Sequence, residues 1–449
     1  MISSVKINKL FGRFNYELKF MPANIMIITG PNGYGKSTIL KMINSFCDDN
    51  LQKLLTYTFK KFEITCDDCN VAITKNEKSF KINDYAFPYP DDKIIHRRGV
   101  PPFIRRVGYD EYMDLRTNQI IKMNGKDIFI DRLKEDFQED RFFELLFLSL
   151  NFSSTKKSHQ SLEELKKAFS LVKKVKQSIG KIQFIQEQRL IERRRVPEEE
   201  RAYSEPKEKY VTVINENSEK LKADLAEIMK KHSSLSSELD STYIGRLLDA
   251  DISSTHNIQD IMDSIEELRI KQQKLQKYAL AEIKNVSEIV QRDTEKLEKY
   301  MVELSIYLKD ANEKYDVFEN IINKLDLYEE IVNHKLKFKE MKLSRTDGIQ
   351  VVSDEGSLLS LNDLSSGEQE ILVLFFKLIF ESDVNLLMID EPEISLHIAW
   401  QKELMDDLRR VIQLNKNIQV IIATHSPQII SNNWDLQICL LYTSPSPRD

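Results

Sequence analysis

Residues 24–43 read NIMIITGPNGYGKSTILKMI: an apolar strand, Ile25 to Thr29, runs through a glycine-rich turn into an amphipathic helix. The turn, Gly30-Pro31-Asn32-Gly33-Tyr34-Gly35-Lys36-Ser37, matches G-x-x-x-x-G-K-[ST] in full. Glycines at these places let successive backbone N–H groups wrap a phosphate. Lys36 then neutralises the β- and γ-phosphates, the Ser37 hydroxyl holds Mg²⁺, and Thr38 extends the nucleotide-facing run. A chance glycine-rich turn would not come with the right strand before it and the right helix after it. The stretch predicts an α/β P-loop fold with a mainly parallel sheet.

Such a sheet needs more buried strands, and two appear far downstream. In VNLLMIDEPEISLH, residues 384–397, an apolar run from Leu386 to Ile389 ends in two carboxylates. A continuous apolar run suits a strand covered on both faces. Asp390 at its end is expected to steady Mg²⁺, and Glu391 to polarise an attacking water. In IQVIIATHSPQII, residues 418–430, a strand from Val420 to Ala423 delivers Thr424 and His425 to the same sheet edge. An isolated histidine is more often structural. Beside a phosphate loop and a carboxylate pair, this imidazole is expected to sense the γ-phosphate and orient water.

The segment LSSGEQE, residues 364–370, opens the apolar run ILVLFFKLIF, which reads as a buried helix. Two serines and a glycine at that mouth would leave N–H groups and small hydroxyls free at the positive end of the helix dipole. Ser365, Ser366 and Gly367 are therefore expected to meet an anion.

The bulk numbers narrow the class. A length of 449 residues allows two or three domains, and 41% hydrophobic residues can bury a real core. The net charge of -6 argues against a surface that coats nucleic acid nonspecifically. Four cysteines, Cys47, Cys66, Cys69 and Cys439, are too few for a disulfide framework, so a reducing cytoplasm is the expected compartment. Cys66 and Cys69 form a lone CxxC, read as a turn between strands rather than a zinc site. No apolar run reaches the roughly 18 residues that span a bilayer, so no membrane partner is expected.

The order of phosphate loop, LSSGE, strand-DE and strand-His resembles an ATP-binding cassette (ABC) ATPase of the structural-maintenance-of-chromosomes (SMC) and RecF-like branch. The resemblance covers residues 1–150 and 335–435. It implies that Ser365, Ser366 and Gly367 of one copy close over ATP held by the phosphate loop of another, so a nucleotide-dependent homodimer is expected. It also implies a glutamine that touches Mg²⁺ and the attacking water. In KIQFIQEQRLIERRR, after a strand from Ile182 to Ile185, this is Gln188 or Gln186, with Gln188 preferred. Ser395-Leu396-His397, where many transporter cassettes carry an aspartate, is similar to OLD-like and RecF-like ATPases of DNA repair and phage defence. The implied function is Mg-dependent ATP hydrolysis that drives or regulates such a complex. The alternative is the ATPase half of an OLD-like nuclease whose nuclease domain lies outside this chain.

The expected organisation is an N-terminal half of the ATPase head over 1–150, a mainly helical insertion over 151–334 and a C-terminal half over 335–438. Residues 439–449 are expected to be a non-native or truncated tail. In the insertion, Leu221, Leu225, Ile228, Leu235 and Leu239, then Ile261, Ile265, Leu268 and Leu275, fall at heptad steps. These suit a short helical hairpin or bundle, turned by Asp249 to Asn257, with the seams packed inside one subunit in preference to a partner-binding coiled coil. Residues 59–84 alternate like antiparallel strands. Two basic clusters, His96-Arg97-Arg98 with Arg105-Arg106, and Arg193-Arg194-Arg195, leave DNA contact open beside plain solvated charge. A nuclease or effector protein is the other open partner.

Overall fold

The computed structural model describes residues 1–20, 24–48, 50–89, 104–108, 111–114, 119–122, 143, 146, 158–187, 189–195, 208–249, 258–281, 300–381, 384–394, 396–414 and 418–441. It divides into two compact units, Met1–Glu187 with Asp383–Ile394 and Asn417–Asp449, and Gln188–Ser382 with Ser395–Lys416.

The described residues of the first unit form three sheets. One is antiparallel and six-stranded, built from β1 (Ile2–Leu10), β2 (Phe14–Lys19), β4 (Lys61–Cys66), β5 (Asn70–Lys75), β6 (Ser79–Ile82) and β7 (Tyr85–Pro88) in the order β2-β1-β4-β5-β6-β7. Its strands alternate as a sheet with one buried face should; in β4, Phe62, Ile64 and Cys66 point inward. The expected alternation of residues 59–84 is realised here. The CxxC forms the β4–β5 connection, where the Cys66 amide donates to the Cys69 carbonyl at 2.8 Å. Burial pushes the Cys66 thiol up to about 11, and all four cysteines are free. Among the described residues no cluster of three His, Cys, Asp or Glu could hold a metal.

The second sheet is parallel throughout. Its strands are β3 (Ile25–Thr29), β11 (Ile182–Ile185), β17 (Leu386–Asp390), β18 (Gln419–Ala423) and β19 (Gln437–Cys439), in the order β11-β17-β18-β3-β19. Every residue of β3, β17 and β18 is buried, which is why each reads as an unbroken apolar run. Register brings the ends of these strands side by side: Ile28 pairs with Ala423, and Ala423 with Asp390. Ligands of open parallel sheets sit at this carboxyl edge. Helix α1 (Lys36–Cys47) leaves it and buries Ile39, Leu40, Met42, Ile43 and Phe46 in the core. Helices α2 (Leu51–Thr56) and α3 (Ser158–Ile179) add Leu51, Leu54, Leu165 and Val172 to the same core. A small sheet of β8 (Ile104–Gly108), β9 (Glu111–Asp114) and β10 (Gln119–Lys122) completes the described strands of this unit.

The second unit is mainly helical, with an antiparallel pair, β12 (Ile191–Arg195) and β13 (Glu208–Thr212), and a three-stranded sheet, β14 (Lys339–Ser344), β15 (Gly348–Ser353) and β16 (Leu358–Leu359). Helix α4 (Val213–Leu248) has 36 residues, longer than the heptads suggested, and rises about 54 Å. Helices α4 and α5 (Ile258–Lys277) both pack on α6 (Met301–Asp316), so the two seams share this helix. Ile261, Ile265 and Leu268 meet Leu308 and Ala311, and Leu221, Leu225 and Leu239 are buried as well. Arg246 ties α4 to α6 through both oxygens of Asp310. The second seam is thus packed from within the chain, while Ile228 and Leu235 of the first stay half-buried. Of the segment expected to turn the hairpin, residues 250–257 lie outside the described residues, as do the side chains of both basic clusters.

Helix α7 (Glu319–Lys335) supports α8 (Ser366–Phe380): the Tyr328 hydroxyl donates to the Leu372 carbonyl at 2.9 Å and its ring meets Phe376 and Phe380. Buried Lys335 joins α7 to α9 (Ile398–Leu414) through Asp407 at 2.6 Å. No helix among the described residues is long and apolar enough to cross a membrane.

Candidate functional site

The turn between β3 and α1 takes positive φ at three glycines, beginning with Gly30 at +149°. Gly33 takes φ +83°, and Gly35 takes φ +90°, the left-handed region. A Cβ on Gly35 would also meet Leu10 Cδ2 at 2.8 Å. Gly35 is the N-cap of α1 and provides no side-chain cap, so the helix offers no acceptor to the first amides, those of Lys36, Ser37 and Thr38. The loop is propped from β2, where the Tyr16 hydroxyl donates to the Tyr34 carbonyl at 2.8 Å and Phe14 packs on the Tyr34 ring. A cleft of about 180 Å³ opens over Asn32, Gly33, Lys36, Ser37, Thr38, Glu391 and His425. Phe11, 40% exposed, forms its outer wall.

The Ser37 hydroxyl donates to Asp390 Oδ1 at 2.9 Å. Asp390 is 1% exposed, and its other oxygen, Oδ2, has no hydrogen-bond partner among the described residues. Burial raises its pKa, and the Ser37 hydrogen bond and Lys41 only partly oppose this. A buried carboxylate oxygen left unsatisfied beside a serine hydroxyl is what a hard divalent cation requires. The residues present therefore fit Mg²⁺.

Lys36 is 4% exposed, and its ammonium has three hydrogens to give. They face the Gly30 carbonyl at 2.9 Å, the Pro31 carbonyl at 3.4 Å and His425 Nδ1 at 3.2 Å. Burial lowers the lysine pKa, opposed by the charges of Glu391, Glu393 and Asp390. Because the ammonium can only donate, Nδ1 must accept, and donor counting puts the ring proton on Nε2. Nε2 lies 2.9 Å from Glu391 Oε1. Lysine, imidazole and glutamate so form one line of donors and acceptors across the cleft. Glu391 reaches it from a strained backbone, φ +45°, with its amide donating to the Ala423 carbonyl at 2.8 Å.

Two residues of the site escaped the sequence reading. Phe11 is an ordinary aromatic until the fold brings it to the loop. Glu393 accepts hydrogen bonds from the segment that holds His425, and only the PE following Asp390-Glu391 hinted at a special turn.

Ser365, Ser366 and Gly367 lie in the second unit. Ser365 is the N-cap of α8 and closes a capping box with Glu368: the Glu368 amide donates to the Ser365 hydroxyl, and Glu368 Oε2 accepts from the Ser365 amide at 2.9 Å. The hydroxyl also donates to Glu368 Oε2 at 2.8 Å. Lys339 holds both Glu368 oxygens, at 2.8 and 2.9 Å. The Ser365 hydroxyl, expected to be free, is committed to the helix itself; Ser366 is exposed and Gly367 half-buried at the first two helical positions. Gln188 lies outside the described residues, and Gln186, at the end of β11 in the first unit, is exposed.

A phosphate loop on a parallel sheet, with an aspartate and a glutamate at the end of β17, one strand removed from β3, defines a P-loop nucleoside triphosphatase. A family model described as the AAA ATPase domain matches residues 1–430, and the chain belongs to that family. Over 115 residues it is 28% identical to the DNA double-strand break repair Rad50 ATPase of Sulfurisphaera tokodaii, a match spanning 23% of this chain and 13% of that protein. Among solved structures it is similar to the Smc head domain with an extended coiled coil bound to the C-terminal domain of ScpA from Pyrococcus furiosus, at 12% identity. That likeness covers 96% of this chain and 91% of the other, with a TM-score of 0.36. The SMC head domain from Thermotoga maritima is similar at 9% identity, over 96% and 90% of the two chains, with a TM-score of 0.31. The protein is an ATPase of the AAA family.

Proposed function

We propose that this ATPase binds Mg-ATP in the cleft over the phosphate loop, dimerises around it, and uses the cycle to drive or regulate a DNA repair or antiphage defence complex. The observation that carries the reading is the line Lys36, His425, Glu391, set beside the Ser37–Asp390 pair. Ser37 and Asp390 would hold Mg²⁺, which when bound offsets the charge of the phosphates.

The chain's own residues supply the rest. The open amides of α1 receive phosphate oxygens, and Lys36 must exchange at least one of its three acceptors for them. Once Lys36 turns to phosphate, His425 Nδ1 loses its donor and the imidazole can turn to the γ-phosphate. Glu391 then gives up the Nε2–H and is left to take a proton from water. Nucleotide arrival and release of the base become one event. By the family resemblance, Ser366 and Gly367 of a second copy would complete the site.

Phosphate release by the purified protein tests this. Turnover should require Mg²⁺ and fall about 100- to 10,000-fold in Glu391→Gln with ATP affinity retained. Tight binding without turnover in the unsubstituted protein would instead mark a nucleotide-sensing scaffold.

A further inference from the structure

Glu393 has no place in the mechanism above, yet the structure builds the His425 segment around it. One oxygen, Oε1, accepts from the Thr424 hydroxyl at 2.8 Å, the His425 amide at 2.6 Å and the Ser426 amide at 3.1 Å. Thr424 is fully buried, its own amide donates to the Ile28 carbonyl of β3 at 3.1 Å, and its hydroxyl accepts from the Ser426 amide at 2.9 Å. Ser426 goes on to cap the short helix α10 (Pro427–Ile430). Three donors converging on one anionic oxygen fix the direction of the backbone at the point where the imidazole leaves it.

The ring is held at its other end by Glu391, which precedes Glu393 by two residues in the same turn. The left-handed backbone of Glu391 and the bond from the Ile394 amide to the Glu391 carbonyl, 3.2 Å, shape that turn. One turn after β17 therefore grips His425 twice, by its ring through Glu391 and by its backbone through Glu393.

We propose that Glu393 is a positioning residue for ATP hydrolysis: it acts through His425, holding the imidazole where it can pass between Lys36, Glu391 and the γ-phosphate. The inference rests on the reading of His425 given above. A carboxylate in this place serves better than an amide because it accepts all three bonds at one oxygen without presenting a donor to the buried Thr424 hydroxyl.

The test is a double-mutant cycle read in kcat, KM for Mg-ATP and Tm. Glu393→Ala should lower kcat about 10- to 100-fold with KM moved less than about threefold, the range for groups that orient a reacting residue without touching substrate. In a His425→Ala background the same substitution should cost no further kcat, whereas a merely structural carboxylate would cost as much in either background. Glu393→Asp, which keeps the charge and withdraws it by one methylene, should fall between Ala and the unsubstituted protein and carries the test if the alanine variant does not fold. Unchanged kcat in Glu393→Asp and Glu393→Ala, or an equal loss with and without His425, would overturn the assignment. Full activity of His425→Ala would overturn the reading of the histidine itself, and this inference with it.

Discussion

The phosphate loop and the LSSGE segment are both small-residue helix starts, and they are built in opposite ways. Helix α1 begins at a left-handed glycine with no side-chain cap and no acid in its first turn. Helix α8 begins at Ser365 with a complete capping box, an acid at its third position and Lys339 against that acid. The first start depends on an outside anion to satisfy its amides. The second is already satisfied as a helix end, and only the amides of Ser366 and Gly367, to which the helix offers no acceptor, remain for a ligand. The first helix start is therefore open to an anion along its whole first turn, and the second only at two amides. A phosphate arriving at α8 would also meet the Glu368 carboxylate nearby, and in the proposed dimer the loop of another copy would bring it there.

Several substitutions would break or sharpen this contrast. The largest effect should come from Lys36→Ala, which removes the one buried cation of the loop: ATP affinity measured by calorimetry should drop about 100-fold or more. Unchanged affinity would mean the loop has been misread. Gly367→Asp should leave the affinity of the loop for ATP within about threefold and still lower turnover about 100-fold, because charge is added only at the start of α8. Asp390→Asn should raise the Tm of the nucleotide-free protein by roughly 2–4 °C, the equivalent of about 1 kcal/mol, while abolishing the further rise on adding Mg-ATP.

The smallest effect separates the two carboxylates by pH. Burial works to raise the pKa of Glu368, but hydrogen bonds from Lys339 and Ser365 hold it below the ordinary value. Its contribution is therefore present above the carboxylate range and lost as pH falls through the folded pKa. Asp390 is raised by burial, so its charge costs stability as pH rises, the reverse sign. Ser365→Ala should cost about 0.5–2 kcal/mol. Glu368→Gln should flatten the acid limb of a Tm-against-pH curve, and an unchanged limb would show that the capping box does not hold in solution.

Much of the site was legible because it is written in local sequence. Three unbroken apolar runs became the three fully buried central strands, and the glycine pattern fixed the loop. Their meeting at one edge followed from parallel pairing. The capping box was written too, as S-x-x-E, yet the serine was read as a free hydroxyl because the same letters serve both purposes. The roles of Phe11 and Glu393 were not legible. Glu393 acts on amides more than thirty positions away, through strand register that no local window contains. The packing partner of the second seam was not legible for a related reason. The partners of Ile261, Ile265 and Leu268 are Leu308 and Ala311, too sparse in their own segment to stand out as a seam.

In the proposed dimer, one ATP is shared by the phosphate loop of one copy and the Ser366–Gly367 start of another. The direct measurement is the solution mass of Glu391→Gln by light scattering, with and without saturating Mg-ATP. The account predicts a monomer without nucleotide and twice that mass with it, and a monomer throughout when Lys36→Ala is added. A Glu391→Gln protein that binds Mg-ATP and keeps the monomer mass would contradict it.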